Sequence, residues 1–275
     1  MRNTAMYNTS NQINMTNVRL AWMLAKRDLK NRYASSYAGA AWNVGVPLLY
    51  ALTNIIVFSI LMKGRMGSNY SDVPFALFYL LPFSLWTIFA EVTSRSTSIL
   101  REYSYLINKI AFPVWILPLV PFASALLGQA IILIFISGLM FLQGIVPANT
   151  ASIFFLVWFI ALILTIGAAY AVSAISVYIP DMGQLVPVVV NILFWLTPLL
   201  YPATIVEKSE WVWVRNIVMD YNPFYYIVES ARLAVFGTGY FEWSYLGFAA
   251  LAATLFFVVG VWIFRKLQPG FADIV

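Results

Sequence analysis

The chain has 275 residues, of which 62% are hydrophobic and 10% are charged, too little polar surface for a water-soluble globule, so the composition indicates an integral membrane protein. The absence of cysteine and histidine excludes disulfides, thiolate nucleophiles, the usual zinc ligands and histidine-based catalytic triads. The formal net charge of +5 is expected to come from basic residues that contact anionic lipid headgroups and set the orientation of the chain in the membrane. No nucleic acid is expected as a partner.

Residues 16–33 predict an amphipathic helix at the membrane surface. At helical spacing an apolar stripe runs from Val18 through Trp22 to Tyr33, and basic side chains occupy the adjoining arc. Such a helix lies in the plane of the interface, where it is either a plain anchor or a platform that also contacts a cytoplasmic partner.

Six apolar segments then predict six transmembrane helices. A bilayer core of ~30 Å is crossed by ~20 apolar helical residues, so each short uncharged run fits about one crossing. The longest uncharged run, between Lys109 and Asp181, holds two crossings separated by a turn of Gly, Pro and Asn at 144–150. The other uncharged runs are residues 33–62, 73–90, 182–206 and 243–264.

Basic residues are concentrated before the first span, between the second and third spans, and after the last span. By the positive-inside rule these places are cytoplasmic, so an even number of crossings leaves both termini in the cytoplasm. The cytoplasmic segment 100–113 alternates apolar and charged side chains, with Tyr103, Tyr105 and Leu106 among the apolar ones. This pattern favours a helix that docks into a groove on another protein.

The segment 202–242, on the opposite side of the membrane, is very apolar but is interrupted by acidic and basic residues. Two short helices explain this composition better than a loop, and Asn222 followed by Pro223 supplies a cap and a first-turn proline for the second helix. Helices that are too short and too charged to span the bilayer predict a re-entrant helical hairpin between the fifth and sixth spans.

Polar side chains form a stripe on the first span and another on the fifth, each within one helix face at ~100° per residue. Amides are costly against lipid, so these faces should contact protein or water. Two interpretations are open: the stripes pack helices together, or they line a pathway whose amides bond hydroxyl groups and whose rings stack on sugars. The candidate pore-lining residues are Asn43, Tyr50, Asn54, Phe58, Asn191 and Trp195.

Few residues in this chain are of the types that carry out catalysis, proton transfer or nucleotide binding. Glu91 is the one acidic residue inside a predicted span, and Arg95 follows it at the favourable i+4 spacing, which indicates either a structural ion pair or a proton relay. No phosphate-binding loop of the type G-x-x-x-x-G-K-[ST] occurs, so the chain is not expected to hydrolyse ATP by itself. Scattered acids without histidine also argue against an enzyme, so no catalytic residues, metal ligands or cofactors are predicted.

Five groups of residues, in order along the chain, resemble the permease subunit of bacterial ABC-2 type exporters, in particular the branch that moves O-antigen and related cell-surface polysaccharides. The similarity covers nearly all of the chain after residue 16 and departs from the family at Pro180, where an Arg usually precedes the Asp. The groups are Arg32-Tyr33 with Ser36, Gly39, Trp42 and Pro47-Leu48; Leu106-Ile107-Asn108-Lys109 with Phe112-Pro113 and Pro118; Asp181 with Pro187, Thr197-Pro198 and Tyr201-Pro202; Asn222-Pro223 with Glu229 and Arg232; and Phe264-Arg265-Lys266-Leu267 ahead of Pro269-Gly270-Phe271-Ala272-Asp273.

The resemblance implies a single transmembrane domain over residues 1–275, two copies of which form a pore at their interface while two separate ATPase subunits dock beneath. It makes 16–33 the interface helix and 100–113 the coupling helix that takes up the motion of the ATPase. ATP and Mg²⁺ would be bound by that partner. The coupling residues would be Tyr103, Tyr105, Leu106 and Lys109.

The function that the resemblance implies is export of a polysaccharide on a polyprenyl pyrophosphate carrier across the bacterial inner membrane. Arg32 and Arg95 lie near the predicted cytoplasmic mouth, and arginine favours bidentate contacts with phosphate, so both are candidates for binding the carrier pyrophosphate. The alternative is that these charges only set topology. Two other functions stay open: an exporter of teichoic acid, small lipid or drug with the same fold, and a membrane-embedded glycosyl- or acyltransferase.

Overall fold

The computed structural model describes residues 15–32, 37–61, 70, 73–107, 112–237 and 241–274, and every regular element within these ranges is a helix. This confirms the predicted all-α class. Four of the helices are long and apolar enough to cross a membrane, as judged by length and composition. They are α3 (Phe75–Arg95), α6 (Leu119–Leu142), α7 (Ile153–Tyr178) and α12 (Trp243–Leu267).

Two shorter apolar helices occupy the places of the first and fifth predicted spans. The first, α2 (Trp42–Ile55), continues as a π-helical stretch over Ile56–Leu61. The other, α8 (Met182–Leu196), begins directly after a turn at Asp181. The six predicted spans therefore correspond to four long helices and two shorter ones.

The helix α1 (Met15–Arg32) occupies the place predicted for the amphipathic surface helix. Its packed face carries Leu24, Ala25 and Asp28, all of which are buried, and α6 lies against this helix. Trp22 belongs to the predicted apolar stripe but is 40% exposed. The face that packs on the protein therefore coincides with the predicted stripe only in part: it includes Ala25, which belongs to that stripe, excludes Trp22, and carries a carboxylate.

The turn between α6 and α7 lies where the sequence predicted it. Gly144 adopts a φ of +66° there, a left-handed conformation that glycine reaches without a Cβ clash. In the segment 100–113 the described residues include two short helices, α4 (Ile99–Glu102) and α5 (Ser104–Ile107), whereas residues 108–111 lie outside the described part of the chain. The predicted coupling segment is thus a pair of helical turns where it is described.

Between α8 and α12 the described residues form three α-helices and one π-helical stretch: α9 (Ala203–Glu207), α10 (Val212–Arg215), the π-helical residues Asn216–Asp220, and α11 (Pro223–Phe236). Asn222 caps α11 as predicted, because its side-chain oxygen accepts a hydrogen bond of 3.0 Å from the backbone N–H of Phe224. The same side chain donates to the hydroxyl of Thr197, which follows α8. This cap therefore ties α11 to the end of α8.

The helix α3 lies at the centre of the fold, where it contacts α2, α6, α7, α8 and α11. An apolar cluster beside α1 is separate from the core around α3, and it contains residues from three parts of the chain that are distant in sequence. It brings Leu24 of α1 and Leu100 of α4 together with Phe271, the first residue of the C-terminal helix α13 (Phe271–Ile274). The segment 100–113 is therefore held by both ends of the described chain.

Candidate functional site

A groove of about 560 Å³ lies between α2, α3 and α8 and brings together most of the predicted pathway residues. Tyr50 and Asn54 line it from α2, and Asn191 and Trp195 line it from α8. The polar stripes of two helices that are distant in sequence therefore border one space. Other lining residues are Trp42, Val46 and Pro47 of α2, Phe83, Trp86, Thr87 and Arg95 of α3, and Phe194 of α8.

The third wall, α3, was not predicted to belong to the pathway. Its lining face combines the apolar side chains of Phe83, Trp86 and Ala90 with a polar stripe toward the C-terminal end of the helix, formed by Thr87, Glu91, Ser94 and Arg95. The signal that could have found this face is the helical spacing of these four polar residues, of which the prediction used only two: Glu91 and Arg95 as an ion pair, and Arg95 also as a candidate for binding pyrophosphate. The aromatic residues Phe83 and Trp86 give no separate signal, because their spacing is equally typical of a packed core.

One of the predicted pathway residues, Phe58, does not line the groove. Phe58 stacks on Phe75 with ring centres 6.1 Å apart and packs against the core. The prediction assumed a rotation of ~100° per residue, but a π-helix winds with a different period, so the stripe does not continue through Ile56–Leu61. The side chain of Asn43 lies outside the described part of the chain.

Aromatic rings form a large part of the groove wall. Phe194 and Trp195 of α8 have ring centres 5.4 Å apart, and Trp86 of α3 lies 6.0 Å from Phe194. Tyr50 is 67% exposed and Trp195 is 54% exposed. Flat, exposed rings of this kind can stack on the apolar face of a ligand while their polar atoms stay available for hydrogen bonds.

The two asparagine side chains on the groove differ in their contacts and exposure. Asn54 Nδ2 donates a hydrogen bond of 2.9 Å to Tyr79 Oη, so this amide joins α2 to α3. Asn191 is exposed on the surface of α8. An exposed amide is costly against hydrocarbon, so this face of α8 is expected to meet protein or water rather than lipid.

Arg95, at the C-terminal end of α3, carries a guanidinium that is already paired. Its Nη2 atom lies 2.6 Å from Asp28 Oδ1 on α1 and 3.6 Å from Glu102 Oε2 on α4. Its Nε atom is buried and has no hydrogen-bond partner. The sequence pattern suggested Glu91 as the partner and missed Asp28, because no local spacing joins residues on α1 and α3. The side chain of Arg32, the other pyrophosphate candidate, lies outside the described part of the chain.

The segment 100–113 presents one tyrosine ring outward and keeps another inside. Tyr105 is 45% exposed, whereas Tyr103 is buried. Burial, reinforced by the negative charge of Asp28, raises the pKa of Tyr103 to about 12, so its phenol stays neutral at physiological pH. Leu106 is half-buried, and Lys109 lies outside the described residues. Among the predicted coupling residues whose side chains are described, Tyr105 is the most accessible to a partner.

The family model described as "ABC-2 type transporter" matches residues 19–236. The chain belongs to the ABC-2 type transporter family. The matched region begins within α1 and ends at Phe236, the last residue of α11, so it includes all three walls of the groove.

Individual ABC-2 relatives match over most of their length. The chain is 28% identical over 259 residues to "O-antigen export system permease protein RfbA" of Klebsiella pneumoniae. The aligned region covers 92% of this chain and 93% of that protein. The chain is 27% identical over 208 residues to the protein of the same name from Myxococcus xanthus, covering 75% and 76% of the two chains. It is 21% identical over 249 residues to "Polysialic acid transport protein KpsM" of Escherichia coli, covering 89% and 92%.

Proposed function

We propose that this ABC-2 chain is the permease subunit of an ATP-driven exporter that moves a lipid-linked polysaccharide, such as an O-antigen, across the bacterial inner membrane. The observation that carries the proposal is the groove, because it combines exposed aromatic rings, amides and one guanidinium on three helices. Rings stack on the apolar faces of sugars, and amides bond sugar hydroxyl groups. The names of the three relatives, two for O-antigen export and one for polysialic acid transport, support the same class of substrate.

The proposed architecture is a single domain over residues 1–275 with six crossings and both termini in the cytoplasm. The helix α2 with its π-helical end is about 30 Å long at the usual helical rise, which is enough for one crossing. The shorter α8 crosses with the help of the chain that follows it. The segment 202–242 forms a re-entrant helical hairpin on the periplasmic side.

The proposed assembly is a homodimer with two ATPase subunits beneath it. The exposed Asn191 supports the dimer, since a second copy would cover the amide-bearing face of α8 and close the open side of the groove into a pore. The ATPase subunits bind ATP and Mg²⁺ and contact the interface helix at 16–33 and the coupling segment at 100–113. The proposed ATPase-coupling residues are Tyr103, Tyr105, Leu106 and Lys109.

Within the groove, the proposed roles follow the chemistry of the side chains. Tyr50 and Trp195 stack on the glycan, and Asn191 bonds its hydroxyl groups, with Asn54 behind them holding α2 to α3. Asn43, whose side chain lies outside the described part of the chain, remains a proposed member of the pathway. Arg32 and Arg95 bind the pyrophosphate of the carrier at the cytoplasmic end.

Deletion of the gene in its host tests this function. We expect loss of polysaccharide from the cell surface and accumulation of the lipid-linked glycan on the cytoplasmic side of the inner membrane. A plasmid with the parent gene should restore export, whereas Trp195→Ala should restore it only weakly because one stacking ring is lost. Leu251→Ala, at an exposed position of α12, is the matched control and should export normally. Normal surface polysaccharide in the deletion strain would overturn the proposal.

A further inference from the structure

The pair formed by Asp28 and Arg95 connects two surfaces with different roles. Arg95 lines the groove, and Asp28 belongs to the buried face of α1. The outer face of α1 carries exposed basic side chains, among them Lys26 and Lys30. The contact of 2.6 Å between the guanidinium and the carboxylate therefore joins the groove wall directly to the helix at the surface of the bundle.

Asp28 depends on this pair for its charge balance. Its side chain is 6% exposed, and its second oxygen, Oδ2, accepts a hydrogen bond of 3.3 Å from the hydroxyl of Ser124 on α6. A buried carboxylate that loses its cation is strongly destabilising unless it returns to water. Any event that removes Arg95 from Asp28 therefore favours movement of α1 away from α3 and α6.

Arg95 has unused capacity for a second anion. A guanidinium has five N–H donors, and the buried Nε of Arg95 has no partner. Its planar fork matches phosphate oxygens bidentately, with shorter and stronger hydrogen bonds than neutral groups make. The carboxylate of Glu102, at 3.6 Å and half exposed, and that of Glu91 on the groove add negative charge nearby. An incoming phosphate therefore competes with these carboxylates for the guanidinium.

We propose that Asp28 is a positioning residue that holds Arg95 in the groove wall and competes with the phosphate of the substrate for its guanidinium. This proposal rests on the proposed function, because it takes a pyrophosphate-bearing lipid as the ligand of Arg95. When the phosphate binds, Asp28 is left without its cation and α1 separates from α3. Arrival of substrate is thereby converted into a movement of the helix that faces the ATPase.

The test uses the full-length chain in lipid nanodiscs, with farnesyl pyrophosphate as the probe and farnesol as the control that lacks phosphate. We expect Asp28→Asn to bind farnesyl pyrophosphate about tenfold more tightly than the parent, the change that 1.4 kcal/mol produces in an equilibrium constant. Arg95→Gln should lose the binding, and farnesol should not distinguish the variants. A residue with a merely structural role would leave the affinity of Asp28→Asn unchanged or lower it, and either result would overturn the proposal.

A second readout follows the position of α1. The chain has no native cysteine, so Ala25→Cys, at a buried position on the packed face, reports separation through its reaction with a soluble thiol reagent. We expect slow labelling in the parent background and several-fold faster labelling with farnesyl pyrophosphate, whereas Asp28→Asn, which leaves no buried charge on α1, should label slowly with and without the probe. Met23→Cys, at an exposed position of α1, should label rapidly in every condition.

The outcomes separate this proposal from the proposed function. If the parent chain exports polysaccharide in cells but Asp28→Asn binds farnesyl pyrophosphate with unchanged affinity, only the competition between Asp28 and phosphate is overturned, and the proposed function stands. Failure of both the parent and Asp28→Asn to bind farnesyl pyrophosphate also overturns this competition. The proposed function in polysaccharide export is then still tested by the deletion strain. Equal labelling of Ala25→Cys in the parent background with and without the probe contradicts the movement of α1.

Discussion

At the scale of single residues, Arg232 on α11 stands out in the described part of the molecule because its charged side chain is fully buried and therefore needs a partner for its charge and its N–H donors. Its Nη1 atom lies 2.8 Å from Glu229 Oε1, and its Nη2 and Nε atoms donate to the carbonyl oxygens of Leu199 and Phe78. The hydroxyl of Tyr70 donates to the other oxygen of Glu229. One guanidinium therefore ties α11 to α3 and to the chain that follows α8.

Replacing Arg232 should therefore cost more than most substitutions. Arg232→Ala leaves the Glu229 carboxylate buried without its cation and two carbonyl oxygens without a donor, so we expect destabilisation of about 3–5 kcal/mol. Arg215→Ala, which removes an exposed arginine from the same part of the chain, is the control and should have little effect. The measurement is the midpoint of thermal unfolding in detergent. Equal midpoints for the two variants would show that the buried pair does not hold α11.

At the scale of elements, α7 and α12 approach each other through glycine. A Cβ added to Gly260 would overlap the carbonyl oxygen of Gly167, and a Cβ added to Gly167 would lie 2.6 Å from the backbone of Phe256. Small residues let membrane helices come close enough for backbone contact, where van der Waals packing replaces the hydrophobic drive that is absent in lipid. The position of α7, and with it one side of α3, depends on this contact.

A single methyl group tests the contact. Gly260→Ala should lower stability by about 1–3 kcal/mol, because the added carbon meets backbone that cannot rotate away as a side chain would. Gly247→Ala on the same helix is the matched control, since nothing lies within 4 Å of its added Cβ, and there alanine should be neutral or slightly stabilising. Thermal unfolding of both variants in the same detergent measures the difference. A neutral Gly260→Ala would mean that the helices are further apart than described.

At the scale of the whole molecule, the groove is open on one side, and the face of α8 beside it carries Asn191 and Trp195. A monomer would present an amide to lipid there, at a cost that a second copy or a water-filled pore removes. The proposed dimer therefore makes a prediction about water access during transport.

Single cysteines on α8 should report that access. We expect Asn191→Cys to react with a membrane-impermeant thiol reagent several-fold faster during ATP-driven transport than at rest, because a resting export pore must be closed to ions. Leu193→Cys, on the opposite face and packed against the core, should stay unreactive in both states. Asn54→Cys on α2 should behave as Asn191→Cys does, and Ile56→Cys, at an exposed position at the start of the π-helical stretch, is its control and should stay unreactive. Equal labelling of both faces would mean that the stripes only pack helices.

The sequence by itself determined the membrane character, the places of the apolar helices, the turn at Gly144 and the cap at Asn222, because charge depletion, helical length and capping are local properties of the chain. It also placed Tyr50, Asn54, Asn191 and Trp195 on the helix faces that line the groove, since a regular helix has a fixed period.

The tertiary structure decided which of these faces meet. It added α3 as the third wall, and it excluded Phe58 from the groove because π-helical winding over Ile56–Leu61 departs from the period that the prediction assumed. It also decided that Arg95 pairs with Asp28, which lies 67 residues away. Pairing across that distance depends on how whole helices pack, because burial leaves each charge dependent on whichever opposite charge the fold brings to it.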